Sequence, residues 1–283
     1  MVEYRNHILL ISKPYGITSS KFTNLVKKIL KARKAGHTGT LDPIATGLMV
    51  IALNDATKFI QFINTDRKEY VIRIILGKET DTDDITGNVS RYSDKIPEIS
   101  EIESALKKFI GKFEQEAPAF SAKKINGVPF YELARKRKAV PKRKFEVEIY
   151  GIEVINYKNG NLDLRVSCSK GTYMRSLARD IGKVCGSAAT LGAIARTKIG
   201  NFSVKDATTL TKLKKGESRG FVEIGNAISY PSLVLKNPRN FLNGIDLETN
   251  FVKVFDENGK FLGMGRVKEG KIHPEKVLNE DLR

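Results

Sequence analysis

The chain has 283 residues, of which 41% are hydrophobic, and its 49 Lys and Arg against 32 Asp and Glu give a net charge of +17. This length suggests about two domains, and the apolar content argues against wholesale disorder. The positive charge indicates a polyanionic partner, either nucleic acid or an anionic membrane surface, unless it reflects a generally basic composition. Two cysteines and three histidines, without zinc-site spacing, exclude a disulfide framework and a zinc centre.

The chain starts without the charged-then-apolar pattern of a secretion signal. None of its apolar runs approaches the roughly 18 residues of a membrane-spanning helix. The few cysteines are typical of a reducing compartment. We therefore expect a cytoplasmic protein whose charge serves a nucleic acid rather than a membrane.

The first 35 residues carry eight Lys and Arg and one acidic residue. Residues 7–12 predict a buried strand, and a turn follows at 13–16. Ser19 or Ser20 is expected to cap the next helix. Its apolar residues recur at helical spacing and are Phe22, Leu25, Val26, Ile29 and Leu30. Its lysines form either a solvated face or a phosphate-binding face, beside the segment that comes next.

Residues 36–47 contain three glycines, three threonines, one proline and a single carboxylate, Asp42. This composition predicts neither a helix nor a regular strand. Glycine supplies backbone freedom, while Pro43 fixes its own φ and favours an extended Asp42. An Asp-Pro pair by itself is most often an ordinary turn. The sequence predicts that Asp42 is held on a stiff loop before the apolar strand 48–53.

Residues 56–63 are expected to form a short helix, and residues 68–76 form a strand with Tyr70 on its apolar face. On periodicity alone, Tyr70 is a core or edge aromatic residue. The acidic segment 79–87 lacks the glycine and glutamate spacing of a calcium loop. We interpret it as a turn whose carboxylates pair with nearby Arg or Lys.

A capping box at 100–103 predicts a helix start, with Ile102, Leu106, Phe109 and Ile110 facing inward. The next segment, residues 114–144, loses this periodicity. It concentrates charge, with nine Lys and Arg and one Glu from residue 123 onward. Aromatic residues are interleaved with these charges, namely Phe120, Phe130 and Tyr131. Basic residues follow phosphate backbones and aromatics stack on bases, whereas the alternative is a linker. We assign RNA backbone binding to Lys123, Lys124, Arg135 and Arg137.

Residues 145–157 and 162–169 predict two strands joined by a hairpin turn at 159–161. Residues 170–175 open a helix. Its buried stripe consists of Met174, Leu177, Ile181 and Val184, with Arg175 and Arg179 on another face. From residue 231 the pattern changes to short strands, with a hairpin at 251–267.

Several of these segments resemble the TruB family of tRNA pseudouridine synthases, in the family's order along residues 8–200. The matching strings are G-H-T-G-x-L-D-P-x-A-x-G at 36–47, K-x-Y-x-x-x-x-x-L-G with T-D-T-x-D-x-x-G at 68–87, P-A-F-S-A-x-K-x-x-G-x-x-x-Y-x-x-A-R at 118–135, K-G-T-Y-x-R at 170–175 and L-x-x-L-x-R-x at 191–197. The last string departs from the family in having Ile194 where leucine is usual.

The resemblance implies that Asp42 is the catalytic nucleophile and that Arg175 forms an ion pair with it. It also implies that Tyr70 packs on the target base, with a part in proton movement left open. Tyr173 and Ile194 would line the uracil pocket.

Three further residues are assigned to substrate binding, namely Lys13, His37 and Thr38. His37 would either fill the gap that a flipped base leaves in the RNA stack or orient Asp42. These two roles are about equally weighted.

The fold implied by the resemblance is α+β. Residues 1–230 would form the pseudouridine synthase domain, with a mixed, mostly antiparallel central sheet flanked by helices and loops. Residues 114–144 would be its RNA-binding thumb. Residues 231–283 would form a small β-rich PUA-like domain that binds RNA, although a domain serving only stability fits that short segment nearly as well.

The implied activity is isomerisation of uridine 55 in the T arm of tRNA, with the target base flipped out and without a metal or cofactor. The alternative is a non-catalytic tRNA-binding chaperone that uses the same groove. An RNA-guided synthase ranks lower, because the chain has no long extension for partner proteins. The presence of Asp42, Tyr70 and Arg175 favours the enzyme, which we expect to be a monomer.

Overall fold

The computed structural model of the protein describes residues 6–118, 124–125, 128–129, 144–217, 219–235, 250–268 and 271–278. Three of the predicted RNA-backbone residues, Lys123, Arg135 and Arg137, lie outside these ranges. Lys124 lies in a described two-residue strand, but only its backbone is described. No helix in the described part of the chain is long and apolar enough to cross a membrane.

The elements follow one another along the chain. The strands are β1 (His7–Lys13), β2 (Ala35–His37), β3 (Thr46–Leu53), β4 (Arg67–Leu76), β5 (Lys78–Thr80), β6 (Val89–Tyr92), β7 (Gly111–Glu116), β8 (Lys124–Ile125), β9 (Val128–Pro129), β10 (Lys144–Lys158), β11 (Asn161–Ser169), β12 (Ala189–Ile199), β13 (Phe202–Ser203), β14 (Thr208–Thr209), β15 (Phe221–Glu223), β16 (Ser232–Leu235), β17 (Phe251–Asp256), β18 (Phe261–Lys268) and β19 (Lys271–Val277). The α-helices are α1 (Ser19–Ile29), α2 (Ile99–Lys107), α3 (Met174–Val184), α4 (Leu210–Lys214) and α5 (Ile224–Ala227), and 3-10 helices span Asn54–Phe62 and Val204–Asp206.

The chain forms two compact units. Unit 1 comprises Met1–Pro43, Leu48–Thr65 and Asn201–Arg283, and unit 2 comprises Ile44–Gly47 and Asp66–Gly200. Unit 1 combines strands from distant parts of the chain, whereas unit 2 is nearly continuous.

In unit 2, the strand order is β12-β4-β11-β10-β7, and all these neighbours are antiparallel. Residues 46–47 at the start of β3 pair in parallel with β12. On β4, alternate side chains are buried, which are Tyr70, Ile72, Ile74 and Leu76. This confirms the predicted apolar face, because the period of two in a strand sends those residues to one side of the sheet.

In unit 1, β1 lies between β14 and β3 in the strand order and also pairs with β15. The four C-terminal strands form a separate sheet with the order β16-β17-β18-β19. Its core contains Leu235, Val252, Val254, Leu262 and Ile272. The combination of parallel and mostly antiparallel pairs with a few helices confirms the predicted α+β class and the β-rich C-terminal segment. The domain boundary at residue 230 stays a prediction.

The hairpin between β10 and β11 is also confirmed. Its two turn residues, Asn159 and Gly160, have φ angles of 49° and 71°. Two consecutive positive φ angles match the twist of a two-residue hairpin, and Asn-Gly is the dipeptide that best tolerates them.

Several local predictions were wrong. The N-cap of α1 is Thr18, whose hydroxyl accepts from Lys21 N, because Ser19 is engaged elsewhere. The N-cap of α2 is Glu98, whose own N–H donates to the Glu101 carboxylate at 2.8 Å, so the helix starts before the predicted box at 100–103. The helix ends at Lys107, which leaves Ile110 49% exposed.

Two further differences concern strand and helix limits. Residues 114–116, expected to be irregular, continue β7 and pair with β10. Val184, expected on the buried stripe of α3, is 42% exposed because it is the last residue of the helix.

Candidate active site

The loop that carries Asp42 lies in unit 1 and is anchored from α1. The Ser19 hydroxyl accepts from Leu41 N at 2.7 Å and donates to Leu41 O at 2.9 Å. Both residues are buried, so these hydrogen bonds fix the backbone directly before Asp42. This is also why Ser19 does not cap its helix.

The other side of Asp42 is held by the end of β1. The Lys13 ammonium group donates to Pro14 O at 2.9 Å, to Ile17 O at 2.8 Å and to Pro43 O at 3.4 Å. Gly16 N also donates to Pro43 O, at 2.8 Å. Lys13 is fully buried, and its position supports the loop. A contact between Lys13 and substrate stays a prediction.

His37 and Thr38 lie at the start of the same loop. His37 ends β2 and pairs with Ile51 of β3, and its Nδ1 lies 3.1 Å from the Thr23 hydroxyl. That contact fixes the imidazole ring relative to α1. Thr38 N donates to Val50 O at 3.2 Å, while the Thr38 hydroxyl is buried without a hydrogen-bond partner among the described residues. Substrate binding by His37 or Thr38 stays a prediction.

The second group of predicted site residues lies in unit 2. Tyr70 on β4 is directly opposite Val166 of β11 and Arg196 of β12. Ile194 is opposite Ile72, so it shares the face of the sheet that carries Tyr70. The structure therefore brings the predicted pocket residues Tyr70 and Ile194 to one buried face.

Arg196 was not among the predicted site residues, although it lies in the matched segment 191–197. Its side chain is 1% exposed and forms a hydrogen bond with the Tyr70 side chain, and burial lowers the pKa of its guanidinium. The signal in the sequence was an arginine within a strand that is otherwise mostly apolar. Only the pairing of β12 with β4 shows that this arginine is next to Tyr70.

Tyr173 and Arg175 lie at the start of α3. The Tyr173 backbone donates to Gln115 Oε1 at 2.8 Å and accepts from Gln115 Nε2 at 3.1 Å. The buried Gln115 amide of β7 thus fixes the entry to α3, and sequence reasoning missed this residue as well. Arg175 is buried, donates to Thr82 O at 3.4 Å and has its Nε 3.9 Å from Asp84 Oδ2.

The acidic turn pairs with arginines, as predicted. Arg179 Nη1 lies 2.9 Å from Asp83 Oδ2, and Arg91 Nη2 lies 3.1 Å from Glu79 Oε2. Burial raises the pKa of Asp83, while the positive charge of Arg179 acts in the opposite direction. In the described ranges, no group of three or more His, Cys, Asp or Glu side chains could hold a metal ion.

Replacing Arg179 with methionine should strongly destabilise unit 2, because it leaves the buried Asp83 carboxylate without this partner. We expect a loss of about 3–5 kcal/mol in the free energy of unfolding, measured by urea denaturation. The matched control is Arg73→Met, because Arg73 forms a 2.7 Å pair with Asp163 but is half exposed. Its loss should be below about 1 kcal/mol. Equal losses in both variants would contradict the explanation by burial.

Family models match both ends of the chain. The model described as TruB family pseudouridylate synthase (N terminal domain) matches residues 27–174, and the model for the C-terminal region of pseudouridine synthase II TruB matches residues 241–278. The first covers the Asp42 loop, Tyr70 and Tyr173.

Relatives match over nearly the whole length. The chain is 44% identical to tRNA pseudouridine synthase B of Francisella tularensis subsp. tularensis (strain FSC 198) over 291 residues, covering 98% of this chain and 96% of the relative. It is 38% identical to tRNA pseudouridine synthase B of Aquifex aeolicus (strain VF5), covering 95% and 98%. A chain in the crystal structure of a Cbf5-Nop10-Gar1 complex shares the fold, with a TM-score of 0.70, 23% identity and coverage of 98% and 86%. This chain therefore belongs to the TruB family of pseudouridylate synthases.

Proposed function

We propose that the protein isomerises uridine 55 in the T-arm loop of tRNA to pseudouridine, with Asp42 as the nucleophile. The observation that carries this proposal is the Asp42 loop, in which the matched motif is anchored on both sides by Ser19 and Lys13. The names of the full-length relatives, tRNA pseudouridine synthase B, support the same activity. The non-catalytic chaperone is not favoured, because the motif residues are intact.

The reaction needs a rigid carboxylate and no external reagent. The bond between N1 of the base and the ribose breaks, and C5 of the same base joins the same ribose carbon. The hydrogen on C5 leaves as a proton, so the isomerisation involves no net oxidation. A carboxylate can serve as the covalent nucleophile when it is ionised and firmly positioned. Asp42 is half-buried on a fixed loop, which suits this role.

The remaining site residues would bind the flipped base. A uridine stacked in an RNA loop is inaccessible to a side chain, so it has to leave the stack. Tyr70, Tyr173 and Ile194 would contact the uracil ring, and Arg175 would favour the ionised form of Asp42. His37 would fill the vacated place in the stack or orient the carboxylate.

The rest of the chain would bind the T stem and loop. The basic segment 114–144 would follow the phosphate backbone, and the C-terminal sheet would add a second RNA contact as a PUA-like domain. The enzyme would act in the cytoplasm. A monomer would be sufficient, because all proposed catalytic groups are present in one chain.

Neutralising the basic segment should weaken tRNA binding and reduce its salt dependence. Replacing Arg135, Lys136, Arg137 and Lys138 with glutamine should lower the slope of log K against log salt by roughly 3, because each phosphate contact contributes about 0.7–0.9. The binding constant would be measured between low and physiological salt.

The matched control also removes four positive charges, from exposed lysines of unit 1. They are Lys205, Lys212, Lys214 and Lys215. Their replacement with glutamine should leave most of the slope unchanged. If both variants change the slope equally, total charge rather than the basic segment governs binding.

Release of tritium from C5 of uridine tests the activity directly. Unmodified tRNA carrying tritiated uridine should lose one tritium per molecule, since only one uridine is isomerised. A matched tRNA with cytidine at position 55 should release none. Tritium release from both RNAs would contradict position 55 as the target. Tight binding without release from either RNA would support the non-catalytic chaperone.

A further inference from the structure

Arg196 and Tyr70 form a buried polar contact on the sheet of unit 2, and the proposed function gives Arg196 no role. The two residues are directly opposite each other on the antiparallel strands β12 and β4. Arg196 is 1% exposed and Tyr70 is 7% exposed, and their side chains share a hydrogen bond. Because directly opposite side chains lie on one face of a sheet, the guanidinium is placed beside the phenol by the strand register.

Two further titratable groups lie near Tyr70 on the same sheet. Lys68 is two residues earlier on β4, so it shares the face of Tyr70, and burial and the charge of Arg196 lower its pKa. Across from Lys68 lies Cys168 of β11, and burial raises the pKa of its thiol to about 11, which keeps it neutral near pH 7.

A guanidinium beside a phenol favours one protonation state. Arginine carries only N–H donors, so in this hydrogen bond the Tyr70 oxygen is the acceptor. A neighbouring positive charge stabilises the charged form of an acidic group, and it does so more strongly where water is excluded. Burial of the phenol opposes its ionisation, whereas the adjacent guanidinium favours the tyrosinate and holds its oxygen in a fixed position.

We propose that Arg196 is a positioning residue that holds the Tyr70 oxygen and stabilises its deprotonated form, so that Tyr70 accepts the proton leaving C5 of the base. This inference rests on the proposed isomerase function. In the step, the C5–H bond breaks and its electron pair restores the double bond of the ring. The proton passes to the Tyr70 oxygen, and Tyr70 then returns it to water.

The first test is the pH dependence of the chemical step. Single-turnover rates would be measured between about pH 6 and pH 9 for the wild type, Arg196→Gln and Arg196→Lys. The rate should rise with pH as Tyr70 loses its proton. For Arg196→Gln we expect this rising limb of the pH–rate profile to move up by about one to two pH units, and the rate near pH 7 to fall by about 10–100-fold. The loss should shrink toward pH 9, and the dissociation constant for tRNA should change by less than about threefold.

The lysine variant keeps the charge but loses the fork of donors. We expect its rising limb to lie between those of the wild type and Arg196→Gln. It also keeps the test decisive if Arg196→Gln fails to fold, as judged by circular dichroism. The proposal would be overturned if the rising limb of both variants coincided with that of the wild type while their rates fell equally at every pH. Arg196 would then have only a structural role.

Two comparisons separate Arg196 from general effects. Arg73→Gln changes an arginine on the neighbouring strand β4, whose partner is Asp163 on the sheet surface, and its pH profile should match the wild type. In a Tyr70→Phe background, where the proposed proton acceptor is gone, Arg196→Gln should cause little further loss in the single-turnover rate near pH 7. A further loss there as large as the one it causes in the wild type would overturn the assignment.

An RNA-free titration distinguishes this proposal from the proposed function. Near-ultraviolet absorbance reports tyrosinate formation, and subtracting the Tyr70→Phe curve from the wild-type curve isolates Tyr70. The midpoint of that difference should rise in the Arg196→Gln background. An unchanged midpoint would overturn the role of Arg196, whereas a raised midpoint without tritium release from tRNA would leave the pair intact and contradict the isomerase.

Discussion

Replacing Asp42 with asparagine should abolish turnover while leaving tRNA binding nearly intact. The amide has almost the same shape as the carboxylate, but it cannot form the covalent intermediate. We expect the single-turnover rate to fall by about four orders of magnitude or more. The loop should keep its conformation, because its anchors join Ser19 to Leu41 and Lys13 to Pro43. Tritium release and a filter-binding titration on the same tRNA would measure the two effects.

A second carboxylate of unit 1 provides the control. Asp55 forms ion pairs with Arg33 and Lys58 near the surface. The Asp55→Asn variant also replaces a carboxylate by an amide. It should retain activity within about twofold, since surface ion pairs contribute little to stability. Turnover that survives in Asp42→Asn would remove Asp42 as the nucleophile.

Replacing Gly47 with alanine should cause a large loss of stability. Gly47 has a φ of +96°, and a Cβ there would lie 2.3 Å from Arg196 O and 2.9 Å from Arg196 N. Both are backbone atoms of the strand that pairs with Gly47, so neither can rotate away. Overpacking and positive-φ strain together should lower the free energy of unfolding by on the order of 4 kcal/mol.

Gly111→Ala separates strain from close packing. Gly111 has nearly the same φ, +94°, but a Cβ there would meet no atom within 4 Å. Thermal or urea unfolding should show a loss of only about 1 kcal/mol, the cost of the backbone conformation alone. If the two alanine variants are equally destabilised, contact between β3 and β12 is not the cause.

Local sequence patterns predicted many of the longer described elements, although the strand β12 was not among them. The alternation around Tyr70 and the Asn159-Gly160 turn depend on neighbours in the chain, and both predictions were confirmed. The predicted cap of α1 was wrong because the Ser19 hydroxyl forms its hydrogen bonds with Leu41, 22 residues further along the chain, instead of with its own helix. Such long-range competition leaves no trace in a short window of sequence.

The site residues divide in the same way. Asp42 and Tyr173 were predicted as site residues from strings of adjacent residues, and their roles stay predictions. Arg196 and Gln115 were missed, because their partners Tyr70 and Tyr173 are far away along the chain. A buried polar residue is recognisable as part of a site only when the strand register that buries it is known.

The discontinuous make-up of unit 1 has a consequence for how the protein is made. Its strand β1 is synthesised before the residues of unit 2, yet Ile11 pairs with Thr208 and Leu9 with Phe221. At roughly 5–20 residues per second, the partners of β1 follow its own synthesis by roughly ten to forty seconds. Unit 2 is nearly continuous and is complete at Gly200. The nascent chain can therefore close the unit that carries Tyr70 and Arg175 first, and the sheet around β1 is completed only after Thr208 and Phe221 have been synthesised.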